Sequence, residues 1–159
     1  MGFGSGGVGS APGTVGSAAA ALVWCIVHAL LFTSTVSVQL LSVVVVAVVG
    51  TLAIRESLRH LSEQDPGWIV IDEWAGMFLT LVGANPACFS QVLVAFAVFR
   101  IFDISKVGPI RTAERLPGAA GVMLDDLVAG ALAWVVVQGL IPFAHGLGLP
   151  WGGPGLWGG

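Results

Sequence analysis

Long apolar segments alternate with short polar ones along this chain. The stretch from Val36 to Ile54, VSVQLLSVVVVAVVGTLAI, has nineteen residues and no formal charge, which is close to the roughly 20 residues that a helix needs to cross a bilayer. Its valine run would suit a buried strand, but the uninterrupted length favours a membrane helix. An earlier apolar helix is predicted from about Ala18 to Phe32, with Ser17 as its N-cap.

The middle of the chain holds two shorter apolar segments, at about residues 69–84 and 90–102, and a last long one follows at about residues 127–147. The two short segments predict an antiparallel hairpin. Glu73 and Asp103 each lie roughly 18–20 Å from its turn at about 1.5 Å per helical residue. The hairpin therefore predicts that these two carboxylates lie at the same depth.

Composition makes a bilayer the expected solvent. Charged residues are 9% of the 159 residues, against roughly 25% in soluble domains, and the mean hydropathy is +0.94. No basic surface suggests a nucleic-acid partner. We predict an all-α polytopic membrane bundle with about five membrane-embedded segments, two of them short. Residues 1–149 would form a single domain, and the Gly- and Pro-rich residues 150–159 a disordered or interfacial tail.

The distribution of charge predicts an orientation and a site. Basic residues follow the second apolar segment (Arg55, Arg59) and the fourth (Lys106, Arg111, Arg115). Such residues mark the cytoplasmic side, so the N-terminus should also be cytoplasmic and the number of spans odd. Seven charged side chains would then gather at one cytoplasmic mouth: Asp72, Glu73, Arg100, Asp103, Lys106, Asp125 and Asp126.

These residue types suit phosphoryl chemistry. An acid placed in hydrocarbon costs roughly 2.5–3.5 kcal/mol, so adjacent acids beside apolar segments need a reason. Carboxylates from several segments could bind Mg²⁺, and Arg100, Lys106 and Arg111 could bind phosphate. These charged residues also have structural interpretations. The acidic pairs could cap helices, Arg100 and Asp103 could form a structural ion pair, and the other basic residues could be membrane anchors. The histidines and cysteines are interpreted as packing or solvent-facing residues.

Four blocks of the sequence carry a resemblance to a known family. In order they are GFGSG with PGTVGS, WIVIDEWAGM, FRIFDISKVGPIR and GVMLDDLVAG. Over residues 2–130 the chain resembles the phosphatidylglycerophosphatase A family. The resemblance implies an all-helical, Mg²⁺-dependent lipid phosphatase of the bacterial inner membrane. Its substrate would be phosphatidylglycerophosphate, which it would hydrolyse to phosphatidylglycerol and phosphate.

The resemblance also implies which residues form the site. A second function remains as an alternative. The implied catalytic and metal-binding acids are Asp72, Glu73, Asp103, Asp125 and Asp126, and the implied substrate-binding residues are Arg100, Lys106, Arg111, Gly4, Ser5 and Thr14. The glycine-rich start could be a flexible leader, or its backbone N–H groups could cradle the phosphate, with Thr14 or Ser17 donating. The rival is a small ion- or proton-coupled transporter subunit, which predicts acids spread across the depth of the membrane. The oligomeric state stays open.

Overall fold

The computed structural model describes residues 12–31, 35–60 and 70–148, and throughout these ranges the regular secondary structure is α-helical. The predicted all-α class is therefore confirmed. The described residues form six helices: α1 Pro12–Leu30, α2 Val36–His60, α3 Ile71–Thr80, α4 Phe89–Ser105, α5 Pro109–Glu114 and α6 Ala119–Gly146. The predicted glycine-rich start and the tail at residues 150–159 lie outside the described residues.

Three of these helices are long and apolar enough to cross a membrane, within Gly13–Leu30, Val36–Arg59 and Ala119–Ala144. In contrast, α3 has ten residues and is about 15 Å long, half of the roughly 30 Å hydrocarbon thickness. The two short predicted segments correspond to α3 and α4, which form a hairpin. The number of membrane crossings stays a prediction.

Two predicted helix starts are wrong. α1 begins at Pro12, a residue that suits the first helical position because its missing N–H is not needed there. Ser17 therefore lies inside the helix rather than at its N-cap, and its hydroxyl donates to the Gly13 carbonyl at 2.8 Å. α6 begins at Ala119 rather than near Leu127. Asp125 is consequently about two turns inside α6, and the capping interpretation of the second acidic pair is wrong.

Helix α6 is the central helix, in contact with α2, α3, α4 and α5. It crosses α3 at two glycines: a Cβ on Gly130 would lie 2.4 Å from the Gly76 carbonyl oxygen, and a Cβ on Gly76 would lie 2.5 Å from the Asp126 carbonyl oxygen. Small residues let membrane helices approach to backbone contact in this way. The crossing fixes Asp126 beside the first turns of α3.

The first part of the α3–α4 turn, residues 81–84, is buried, and side chains from other helices bind its backbone. Gly83 N–H donates to Gln39 Oε1 of α2 at 2.6 Å. The Val82 carbonyl accepts from Trp134 Nε1 at 2.9 Å and from Gln138 Nε2 at 2.7 Å, both on α6. Non-helical backbone at membrane depth is tolerated only where the protein satisfies it. We call Gln39, Trp134 and Gln138 the amide cluster.

Candidate active site

Arg100 of α4 connects three helices at the open end of the hairpin. Its Nη1 donates to Asp103, to Glu73 Oε1 at 3.4 Å and to Ser17 Oγ at 3.3 Å. Its Nη2 donates to Thr14 Oγ1 at 3.3 Å. The predicted equal depth of Glu73 and Asp103 is confirmed, because one guanidinium pairs with both carboxylates.

The N-terminal turns of α1 form a wall of small residues against Glu73. A Cβ on Gly13 would lie 2.1 Å from Glu73 Oε1, and one on Gly16 would lie 2.7 Å from Oε2. The buried Ser17 hydroxyl lies 3.2 Å from Glu73 Oε2. The contact of Ser17 with Glu73 was not predicted from the sequence. The signal was the spacing of Gly13, Gly16 and Ser17, since residues three and four apart share one helix face.

Lys106 forms the second half of the site. It ends α4 in the left-handed region at φ 45°, which costs a non-glycine residue about 1–3 kcal/mol. This conformation accompanies contacts of Nζ with Asp125 Oδ2 at 2.6 Å and Glu114 Oε1 at 2.9 Å. Burial lowers the pKa of Lys106, but the bonds to Asp125 and Glu114 outweigh it and raise the pKa above its ordinary value. The ammonium is therefore charged, and Glu114 is a partner that sequence reasoning missed.

Three of the acids are buried: Asp72, Asp125 and Asp126 expose 7%, 6% and 4% of their surface. The charges of Asp72, Asp103 and Asp125 all act on the Asp126 carboxyl. Burial raises the pKa of Asp72 to about 7; the Glu73 N–H opposes the shift, and the charges of Glu73 and Asp125 reinforce it. The helices thus bring together carboxylates that repel one another.

The cluster has more negative than positive charge. Five carboxylates, on Asp72, Glu73, Asp103, Asp125 and Asp126, meet two cations, Arg100 and Lys106. In the part of the chain that the structure describes, no ion pair reaches Asp72 or Asp126. Within those same ranges, no three acidic, His or Cys side chains already stand at the spacing of a metal shell. The donor set is nevertheless of the oxygen type that hard cations prefer, and a cation would offset the excess charge.

The remaining predicted residues fall outside this cluster. Arg111 lies on α5 with an exposed side chain, and within the described ranges no ion pair joins it to an acid. Gly4 and Ser5 lie outside the described residues. His28 is buried and stacks on Trp24 at 4.6 Å between ring centroids, in agreement with its interpretation as a packing residue. Cys25 and Cys88 are free thiols.

Comparison with known proteins assigns the chain to a family. The family model described as phosphatidylglycerophosphatase A matches residues 1–141. The chain belongs to this family. It is therefore a phosphatase that hydrolyses phosphate monoesters, and its apolar helices make it a membrane protein.

Individual relatives cover most of the chain. The phosphatidylglycerophosphatase A proteins of Haemophilus influenzae and Escherichia coli are each 36% identical to it, over 86% and 84% of this chain and 83% and 76% of their own lengths. A Bacteroides thetaiotaomicron protein, provisionally named a phosphatidylinositol-3-phosphatase, is 36% identical over 86% of this chain and 87% of its own length. No solved structure matches the chain significantly.

Proposed function

We propose that this protein is a Mg²⁺-dependent phosphatidylglycerophosphatase that releases phosphate and leaves phosphatidylglycerol in the membrane. Family membership and the names of the Haemophilus influenzae and Escherichia coli relatives support this substrate. The observation that carries the proposal is the charge cluster itself. Five carboxylates and two cations from α3, α4, α6 and the α4 C-cap meet at one end of the bundle, with Asp72 and Asp126 outside any described ion pair.

Arg100 and Lys106 are the groups that would bind the substrate phosphate. The Nε of Arg100 is buried without a hydrogen-bond partner among the described residues, so the guanidinium keeps a donor that the protein does not use. Its 3.3 Å contacts with Thr14 and Ser17 are long and neutral. A phosphate oxygen can replace them with shorter, charge-assisted bonds, which are roughly twice as strong.

The carboxylates would serve as cation ligands and as the proton acceptor. Some of Asp72, Glu73, Asp103, Asp125 and Asp126 would hold Mg²⁺, which when bound supplies charge neutralisation at the phosphate oxygens. The support is the oxygen donor set and the surplus negative charge. Water then attacks phosphorus opposite the glycerol oxygen and gives a proton to one carboxylate as the bond from phosphorus to the glycerol oxygen breaks; that carboxyl passes the proton to the glycerol oxygen, which leaves as phosphatidylglycerol. Attack by an aspartate, followed by hydrolysis of the acyl phosphate, is the alternative route.

We further propose a bacterial inner-membrane location with the site facing the cytoplasm. If the three helices long enough to cross, α1, α2 and α6, are the membrane spans, the N-terminus and both basic clusters would lie on the same side, in keeping with the distribution of Arg and Lys. The α3–α4 hairpin then enters from the cytoplasmic side. Its acids lie at the headgroup level, where the substrate phosphate is found.

The rival transporter function fits this arrangement poorly. An ion path needs polar groups along the whole depth of the membrane. The described acids on α3, α4 and α6 meet at one end of the bundle, and the polar residues at the opposite end of the hairpin are neutral amides and a tryptophan bound to backbone.

The decisive experiment measures phosphate release by the purified protein in mixed micelles. The substrates are phosphatidylglycerophosphate, phosphatidate and phosphatidylinositol 3-phosphate, each with Mg²⁺ and with EDTA. We expect phosphatidylglycerophosphate to be hydrolysed fastest, EDTA to stop the reaction and added Mg²⁺ to restore it. Undiminished phosphate release in EDTA would contradict the proposed dependence on Mg²⁺. Faster hydrolysis of another lipid would contradict phosphatidylglycerophosphate as the substrate.

A further inference from the structure

An apolar groove runs between α1 and α4 on the lipid-facing side of the bundle. Its volume is about 410 Å³. α1 contributes Ala18, Ala21 and Cys25 to its walls, α4 contributes Val92 and Phe96, and the α3–α4 turn contributes Pro86 at its floor. Leu22 and Leu93, at 62% and 52% exposure, border it where it opens outward.

The groove leads directly to the charged site. We call the end of the groove nearest Arg100 its upper end and the end nearest the α3–α4 turn its lower end. On α1, Ala18 lies one helical turn from Thr14 towards the lower end. On α4, Phe96 lies one turn from Arg100 in the same direction. The Thr14–Arg100 hydrogen bond of 3.3 Å therefore stands at the upper end of the groove. From Arg100 down to Phe89 at the lower end of the groove is about 16 Å of helix, roughly half of the hydrocarbon thickness.

The chemistry of the groove restricts its occupant. Its walls carry small and apolar side chains, and alanines at positions 18 and 21 leave the space that larger residues would fill. Among the described residues, the cationic group at the end of the groove nearest the site is the Arg100 guanidinium, which is suited to phosphate. A single molecule that presents phosphate to Arg100 and hydrocarbon to the groove is a phosphorylated lipid.

We propose that the α1–α4 groove binds one acyl chain of the lipid substrate while Arg100 binds its phosphate. The inference rests on the proposed function for the lipid nature of the substrate. The groove aligns the headgroup by holding the chain at a fixed angle to the site. An acyl chain in a bilayer is already shielded from water, so entering the groove buries no further apolar surface. The groove therefore contributes orientation rather than hydrophobic affinity.

The first test fills the groove and compares two substrates with one headgroup. Ala18 lines the groove and is exposed, so the larger side chain of Ala18→Phe can fill the groove without disturbing the core. We expect kcat/KM for a phosphatidylglycerophosphate with two long chains to fall on the order of tenfold, with turnover of its deacylated, water-soluble counterpart unchanged. Ala18→Leu should give a smaller loss.

The control is Ala47→Phe, which adds the same volume to a second apolar cleft of about 370 Å³, between α2 and α6. It should leave both substrates unaffected. Equal losses for the long-chain substrate in Ala18→Phe and Ala47→Phe, or no loss in Ala18→Phe, would overturn the inference. Inactivity of the unaltered protein toward every lipid phosphate would instead contradict the proposed function.

A second measurement needs no substitution. A substrate carrying a diazirine midway along one acyl chain is photolysed in micelles with the unaltered protein, and the labelled residues are mapped by mass spectrometry. We expect labels concentrated at residues 18–25 and 89–96 and removed by excess unlabelled substrate. Labels spread equally over the lipid-facing side of α2 would overturn the inference even if Ala18→Phe failed to fold.

Discussion

The two ends of the α3–α4 hairpin are both polar and buried, yet they differ in charge. At the open end, carboxylates outnumber cations, and Asp72 and Asp126 lie outside every described ion pair. At the closed end, neutral side chains bind the turn backbone, and the atoms of the amide cluster that have no partner among the described residues are one neutral donor of Gln39 and one neutral acceptor of Gln138. An unpaired neutral group costs about 1–3 kcal/mol, whereas a buried unpaired charge costs several kcal/mol.

This difference separates a structural polar region from a functional one. The amide cluster completes the backbone hydrogen bonds of a turn that could not otherwise lie inside the bundle. The acidic end leaves Asp72 and Asp126 outside every described ion pair, and we propose that a cation and the substrate phosphate complete it. Substitutions at the closed end should therefore change stability, and substitutions at the open end should change activity.

The largest expected effect belongs to the acidic end. Asp126→Asn keeps the size of the side chain and removes its charge, so the proposed cation site loses a central ligand. We expect phosphate release to fall by at least about 10²-fold, with membrane insertion and the thermal unfolding midpoint retained or raised because buried repulsion is relieved. Assays of release and of unfolding in detergent measure both. Near-normal turnover would end the assignment of Asp126 to the site.

A smaller effect is expected where α3 meets α6. Gly76→Ala places a methyl group 2.5 Å from the Asp126 carbonyl oxygen and 2.7 Å from Phe99, so the helices must separate. We expect a loss of about 2–3 kcal/mol in unfolding free energy, together with reduced activity because Asp126 moves away from α3. Gly139→Ala is the matched control, since a Cβ at Gly139 meets no atom within 4 Å. Equal unfolding curves for the two variants would contradict the close crossing.

At the amide cluster, stability and activity should separate. Gln39→Leu removes the acceptor of the Gly83 N–H and leaves that donor buried, which should lower the unfolding free energy by about 1–2 kcal/mol. The folded fraction should keep its kcat, since Gln39 touches no charged residue of the site. Urea unfolding and kinetics at low temperature give the two values. A fall in kcat with unchanged stability would reverse the distinction between the two ends.

The smallest effect is expected from a solvent-exposed ion pair. Arg59 and Glu56 pair at 2.7 Å with side chains that are each 59% exposed, and such pairs contribute about 0–0.5 kcal/mol. Glu56→Gln should leave phosphate release and unfolding within error of the unaltered protein. A clear loss of activity would extend the functional region beyond the acidic cluster.

The sequence by itself predicted five of the six described helices, though not where α1 and α6 begin, and the acids, Arg100 and Lys106 that the structure brings together. Uninterrupted apolar length predicted α2, the two short segments predicted the hairpin, and counting residues from its turn placed Glu73 level with Asp103. These results depend on local geometry, because rise per residue and hydrophobic length are properties of one helix at a time. Each of the four sequence blocks that carry the family resemblance likewise comes from one continuous stretch of the chain.

Only the tertiary structure decided which groups meet across helices. The contact of Ser17 with Glu73 joins residues 56 positions apart, and the amide cluster joins α2 and α6 to a turn between them. In a membrane helix, apolar residues face both lipid and core, so the hydrophobic pattern does not reveal which face is turned inward. That choice is made by glycine contacts and buried hydrogen bonds between helices, and it turns separated acids into one site.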